Sequence, residues 1–219
     1  MSQIRTDLKI LVVGHAGAGK TSFVKRWTKN EYKENYQPTI VSEFSFKIHE
    51  SNGSLYRIQL WDIGGQDKSS SMAKIFSRDS HGCVIINDST NSDTLEEALN
   101  WKRIVSEETN FLDGGCLPFI LVQNKIDLIE NREKFERIEN ETKDICENNN
   151  FEKYFMGSVK QNVNVDESMD YLIEKIIERL EKYSSSGNIV FNEQMPRNTI
   201  VITSETSKKR KRIKKKKCC

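Results

Sequence analysis

Two rhythms of hydrophobic and polar positions alternate along residues 7–183. Near-continuous apolar runs, LKILVVG, GCVIIND and LPFILVQN, predict buried strands. EFSFKIHE and YRIQLWD flank the turn SNGS and predict a paired set, and YFMGSV predicts a sixth strand. Helical spacing falls between them, in KTSFVKRWTKN, a short segment near SMAKIFSRD, SDTLEEALNWKRIVSEE, NREKFERIENETKDICENNN and DESMDYLIEKIIERLEKY. In the last of these, Met169, Leu172, Ile173, Ile176, Ile177 and Leu180 form one apolar face. Such alternation predicts a three-layer α/β fold, a six-stranded, mostly parallel sheet with helices on both faces. Ligands of such sheets bind at the carboxyl ends of the strands.

The rhythm stops near residue 183. SSSGNIVFNEQMPRNTIVITSETS has no helical period and reads as a flexible linker, so a 7–183 domain and a 184–219 tail are expected. Charge sharpens that boundary. The formal net charge is only +2, yet KKRKRIKKKK at 208–217 holds nine of the 34 basic residues, which leaves an acidic body and a strongly basic tail. No apolar run reaches the ~18 residues of a membrane-spanning helix. The amino terminus, MSQIRTDLKILVV, lacks the features of a signal peptide, so a cytosolic chain is expected. Cys83, Cys116, Cys146, Cys218 and Cys219 show no C-x-x-C spacing, which argues against disulfides and zinc.

Gly14, Gly19, Lys20 and Thr21 fit the phosphate-loop pattern G-x-x-x-x-G-K-[ST], behind a predicted strand and opening a predicted helix. The bland reading is a glycine-rich turn, but the context matches the mechanism: converging N–H groups and a helix amino terminus hold phosphate. Lys20 adds a point charge and Thr21 a hydroxyl for Mg²⁺. In WDIGGQ, Asp62 ends a strand where it can reach Mg²⁺ through water, with Gly65 and Gln66 just beyond. In LVQNKIDL, Asn124, Lys125 and Asp127 end another strand. Alone they could be turn formers, but a carboxylate at Asp127 can accept from guanine N1–H and the 2-amino group, a pattern adenine does not offer.

With these motifs in this order and at this spacing, residues 7–183 resemble the Ras-like small GTPases. The resemblance implies the P-loop GTPase fold and a GTP/GDP-dependent switch that hydrolyses GTP slowly. By position, the phosphate loop comprises Gly14, His15, Ala16, Gly17, Ala18, Gly19, Lys20 and Thr21, with Ser22 following. Thr39, after Pro38, closes on Mg²⁺ and the γ-phosphate. Gly65 donates its amide to that phosphate, and Gln66 orients the attacking water. Tyr32 covers the guanine that Asn124, Lys125 and Asp127 grip, and Ser158, Val159 and Lys160 close the base pocket, with S-V-K standing for the family's S-A-K. The implied catalytic set is Gln66, Lys20 and Thr39; the implied metal set is Thr21, Thr39 and Asp62.

Within that family the chain looks most like a Rab. Terminal Cys218-Cys219 has the form Rabs present for two geranylgeranyl groups, and the basic tail suits an anionic leaflet. A nucleic-acid arm is the competing reading of the tail; the acidic body argues against it, and no nucleic-acid partner is expected. Phe44, Trp61 and Phe76 match an aromatic trio between the two switches, and would serve equally as plain core. WDI, ALNWKRIV and the insertion DGGCLP resemble the Rab subgroup of lysosome-related organelles. The resemblance implies a monomer, lipid-anchored on the cytoplasmic face of intracellular membranes and acting in vesicle trafficking. Its implied partners are an exchange factor, an activating protein, effectors, a GDP dissociation inhibitor and the prenylation machinery.

Departures from the family pattern are GQDKS for GQERF, Val41 for glycine, WDIGG for WDIAG, and Ala16, whose methyl group would crowd Gln66 and slow hydrolysis. A GTP-binding interaction module without hydrolysis therefore stays open as an alternative. A nucleoside phosphate kinase lacks support, since NKID and the tail would have no purpose in it.

Overall fold

The computed structural model describes residues 4–34, 42–65 and 71–185, together with the backbone of 189–190 and 201–202. Pro38, Thr39, Val41, Gln66, Cys218 and Cys219 lie outside the described residues. The elements run β1 (Ile4–Gly14), α1 (Lys20–Lys29), β2 (Ser42–Ser51), β3 (Ser54–Ile63), α2 (Ser71–Ser77) and β4 (Gly82–Asp88). Then follow α3 (Asp93–Glu108), β5 (Phe119–Asn124), α4 (Arg132–Asn148), β6 (Lys153–Met156) and α5 (Val165–Ser185). Asn131, at the start of the fourth helical pattern, is the cap of α4: its side chain accepts from the Lys134 amide at 2.8 Å.

Six strands form one sheet in the order β2-β3-β1-β4-β5-β6, and only β2 runs antiparallel to its neighbour. This is the α/β sheet that the apolar rhythm predicts. β4 and β5 are buried along almost their whole length because helices cover both of their faces. Gly82 of β4 faces Leu172 and Ile176 of α5, whereas Gln123 of β5 bonds Thr142 of α4 on the opposite face, at 2.7 Å. α1 packs beside α5, and α2 beside α3. The six apolar residues of the α5 face are all buried; each such side chain contributes roughly 1.5–3 kcal/mol.

β2 is one edge of the sheet, β6 the other. Phe44, Phe46 and Ile48 of β2 share one face and remain 51%, 57% and 41% exposed. Phe44 meets Trp61 edge-on at 5.5 Å and Trp61 meets Phe76 at 5.5 Å, so the aromatic trio forms a connected strip that reaches the surface. Within the stretch expected to be linker, Ile189–Val190 pairs antiparallel with Val201–Ile202. Cys83 and Cys146 are free buried thiols. No helix among the described residues is long and apolar enough to cross a membrane.

His81 precedes β4, and its Nδ1 accepts the Lys9 amide of β1 at 3.1 Å. Burial, then the Lys9 ammonium, push its pKa from 6.5 down to about 4. Between these values the unfolded chain takes up a proton that the folded chain does not, so stability falls as pH drops through that window. Urea unfolding from pH 7 to 4 should show this slope. It should be shallower in His81→Gln, whose amide oxygen can still accept from Lys9.

Candidate functional site

The carboxyl ends of four strands share one rim. Parallel register sets Val12 against Asp62, Gly14 against Ile86 and Asp88 against Asn124. The phosphate-loop pattern leaves this rim at Gly14 and enters α1 at Gly19. Gly19 has φ +99°, and a Cβ there would lie 2.4 Å from the Asn124 side-chain nitrogen. Only glycine suits both the backbone and the space. No side chain caps the amino terminus of α1, which leaves its first-turn N–H groups to an anion. Lys20 is buried and folds back over the loop, donating to the Gly14 carbonyl at 3.0 Å and the His15 carbonyl at 2.8 Å.

Thr21, one residue on, donates its hydroxyl to Asp62 Oδ2. Asp62 is fully buried, and its Oδ1 has no hydrogen-bond partner among the described residues. Burial pushes its pKa up to about 6, against the hydrogen bond from Thr21 and the charge of Lys20. A hydroxyl and a half-satisfied carboxylate form an all-oxygen donor set that fits Mg²⁺, which typically takes one or two carboxylates together with phosphate oxygens and water. No cluster of three His, Cys, Asp or Glu residues suited to a metal occurs among the described residues. Gly65 lies against the phosphate loop: a Cβ on it would fall 2.4 Å from the Ala16 amide nitrogen.

The second half of the site gathers around β5. Asn124 is buried and bridges two loops, donating to the Ala18 carbonyl at 2.8 Å and accepting the Val159 amide at 2.9 Å. Lys125, at φ 67°, pairs with Asp88 at 2.5 Å. Burial alone would raise the Asp88 carboxyl, but hydrogen bonds from Lys125 and Thr90 hold it below the usual range. Asp127 sits in a single 3₁₀ turn, Ile126–Leu128, and accepts from the buried Ser158 hydroxyl at 2.5 Å. Tyr32 packs half-buried against the core edge, and Lys160 pairs with Glu34 at 2.8 Å. The structure thus brings together the residues that the motifs single out, apart from those outside the described set.

Three participants carry no motif. Asp88 fixes Lys125; its place at the end of GCVIIND, a strand end like those of Asp62 and Asn124, was a usable signal. Glu97 of α3 meets His15 of the phosphate loop at 2.5 Å. Arg26 of α1 donates to the carbonyls of Val159 and Lys160. For these two, no sequence pattern points to the contact.

Comparison with known proteins follows the same lines. The Ras family model matches residues 9–178. Ras-related protein Rab-7L1 of Rattus norvegicus is 33% identical over 196 residues, covering 86% of this chain and 93% of the relative. Ras-related protein Rab-32C of Dictyostelium discoideum is 35% identical over 188 residues, covering 86% and 81%. Ras-related protein Rab-32 of Homo sapiens is 29% identical over 193 residues, covering 88% and 84%.

The Asn124 brace is testable without any ligand. Asn124→Ala leaves the buried Ala18 carbonyl and Val159 amide unpaired, at about 1–3 kcal/mol each. Urea unfolding of nucleotide-free protein should show a loss of roughly 2–4 kcal/mol; a loss under about 0.5 kcal/mol, the level of a neutral surface change, would mean that the brace contributes nothing.

Proposed function

We propose, since this chain belongs to the Rab family of Ras-like small GTPases, that it is a slow GTP/GDP switch that recruits effectors to intracellular membranes in vesicle trafficking. The observation that supports this most is the buried Asp62 carboxylate. One oxygen is held by Thr21 and the other has no partner among the described residues, beside a buried Lys20 and an uncapped helix amino terminus. Burying such a group is costly unless a cation or a hydrogen-bond donor comes to pair with it.

In this reading Gly14 to Ser22 cradle the phosphates, and Lys20 neutralises charge on the outer pair. Mg²⁺, held by Thr21, Thr39 and Asp62, would supply further charge neutralisation on the phosphate oxygens. Gln66 orients water for attack on the γ-phosphorus, the bond to the bridging oxygen breaks, and GDP and phosphate result. Asp127, already aligned by Ser158, accepts from guanine, and Lys125 is kept extended by Asp88. Thr39 and Gly65 lose their phosphate contacts on hydrolysis, which releases the segments that present the effector face. The Phe44–Trp61–Phe76 strip, exposed at Phe44 and half-buried at Trp61 and Phe76, is the natural part of that face.

The division into a 7–183 switch domain and a 184–219 tail belongs to this proposal. So do prenylation of Cys218 and Cys219, a place among Rabs of lysosome-related organelles, and partnership with an exchange factor, an activating protein and a dissociation inhibitor. The tail's nine basic residues would add attraction to an anionic leaflet.

Chromatography of the nucleotide bound to purified protein is expected to give guanine nucleotide, and single-turnover phosphate release with GTP and Mg²⁺ is expected to be slow. Adenine nucleotide would overturn the reading of Asp127. Ala16→Gly is expected to hydrolyse faster, and equal rates would remove crowding by the Ala16 methyl group as the cause. Chelation of divalent metal with EDTA should accelerate GDP release from the wild type; an unchanged rate would argue against a metal at Thr21 and Asp62.

A further inference from the structure

Arg26 lies in the last turn of α1, outside every nucleotide motif, yet its guanidinium reaches two separate segments, the S-V-K loop and the stretch from Asn30 to Tyr32. Nε donates to the Val159 carbonyl at 3.0 Å and an Nη to the Lys160 carbonyl at 3.2 Å, so one planar fork spans two successive carbonyls of the S-V-K loop. The other Nη donates to the Asn30 carbonyl at 3.3 Å and its side-chain oxygen at 3.1 Å, at the left-handed turn where α1 ends. The guanidinium carbon stands 5.6 Å from the centre of the Tyr32 ring.

We propose that Arg26 is the positioning residue that sets how long this site retains its guanine nucleotide, by clasping the S-V-K loop to the segment carrying Tyr32. The inference rests on the nucleotide-binding reading above and concerns the regulation of that site. Two walls of the base pocket come from positions more than a hundred residues apart, Tyr32 after α1 and Val159–Lys160 after β6. For nucleotide to leave, at least one wall has to move. A second link between the walls, Lys160 to Glu34, has side chains 51% and 71% exposed and holds them weakly. Arg26 makes charge-assisted bonds with a rigid fork that lysine cannot reproduce. Asn124 holds the inner end of the same loop through the Val159 amide; Arg26 holds its outer end through the carbonyls. A protein that draws the Tyr32 segment outward would strip the ring from the guanidinium and loosen the far wall without touching the base.

Arg26 does not contact Asp127, so the clasp controls residence time and not base choice. The test uses full-length protein loaded with a fluorescent GDP analogue and chased with excess GDP in Mg²⁺, for wild type, Arg26→Met and Arg26→Lys. Methionine keeps the apolar stem and helix propensity; lysine keeps the charge but cannot span both carbonyls. Both variants are expected to release nucleotide about tenfold faster or more, given the usual strength of charge-assisted bonds. Association rate and the preference for GDP over IDP should stay as in wild type. A wild-type release rate in Arg26→Met would overturn the clasp while leaving the nucleotide switch intact. Recovery of the wild-type rate by Arg26→Lys, or loss of the GDP preference, would overturn it as well, since either result removes the fork or its restriction to residence time. Failure of the wild type to bind GDP would overturn both readings together.

Discussion

The register of the parallel strands is the constraint on which everything else rests. β1 pairs in parallel with both β3 and β4, and β4 with β5, so their carboxyl ends come level. Gly14, Asp62, Asp88 and Asn124 then stand on one rim although they are spread over more than a hundred positions of chain. Side chains alternate along each strand, so a slip of one residue would turn Asp62 and Asn124 to the opposite face. The apolar runs of β4 and β5, buried against helices on both faces, are what make such a slip costly.

Polar groups on that rim are satisfied mostly by one another. Asn124 joins the phosphate loop to the S-V-K loop, Asp88 holds Lys125, and Ser158 holds Asp127. Groups buried in this way are costly when unpaired, so the network keeps the loops in place before any ligand arrives. Asp62 stands apart, because one of its oxygens has no partner among the described residues. The burial of that atom is unfavourable in the protein alone, and a cation beside it would offset that cost.

Order and exposure divide the molecule in a second way. The rim is braced by contacts between distant segments, whereas edge strand β2 leaves Phe44, Phe46 and Ile48 exposed on one face. Phe44, Trp61 and Phe76 continue that face toward α2. A surface of this kind can change its packing at little expense to the core, because its aromatic groups already lie outside the main cluster or at its edge.

Sequence by itself determined the six strands of the main sheet and the helices around it, though not the pairing of 189–190 with 201–202, and it singled out the candidate site residues. Periods of two and of 3.6 are local properties, so Met169 through Leu180 declared a buried helical face, and GHAGAGKT, WDIGGQ and NKID pointed to a nucleotide site through their order and spacing together. It also marked Gly19 and the basic tail, each by residue type and position. Only the tertiary structure decided that Asn124 braces two loops, that Asp88 holds Lys125, and that Arg26 and Glu97 belong to the site at all. Those contacts join residues separated by 106, 37, 133 and 82 positions. A single chain carries no local period for such pairs. Their partners are set by which strand ends the parallel register brings level, and by which helix face packs above them.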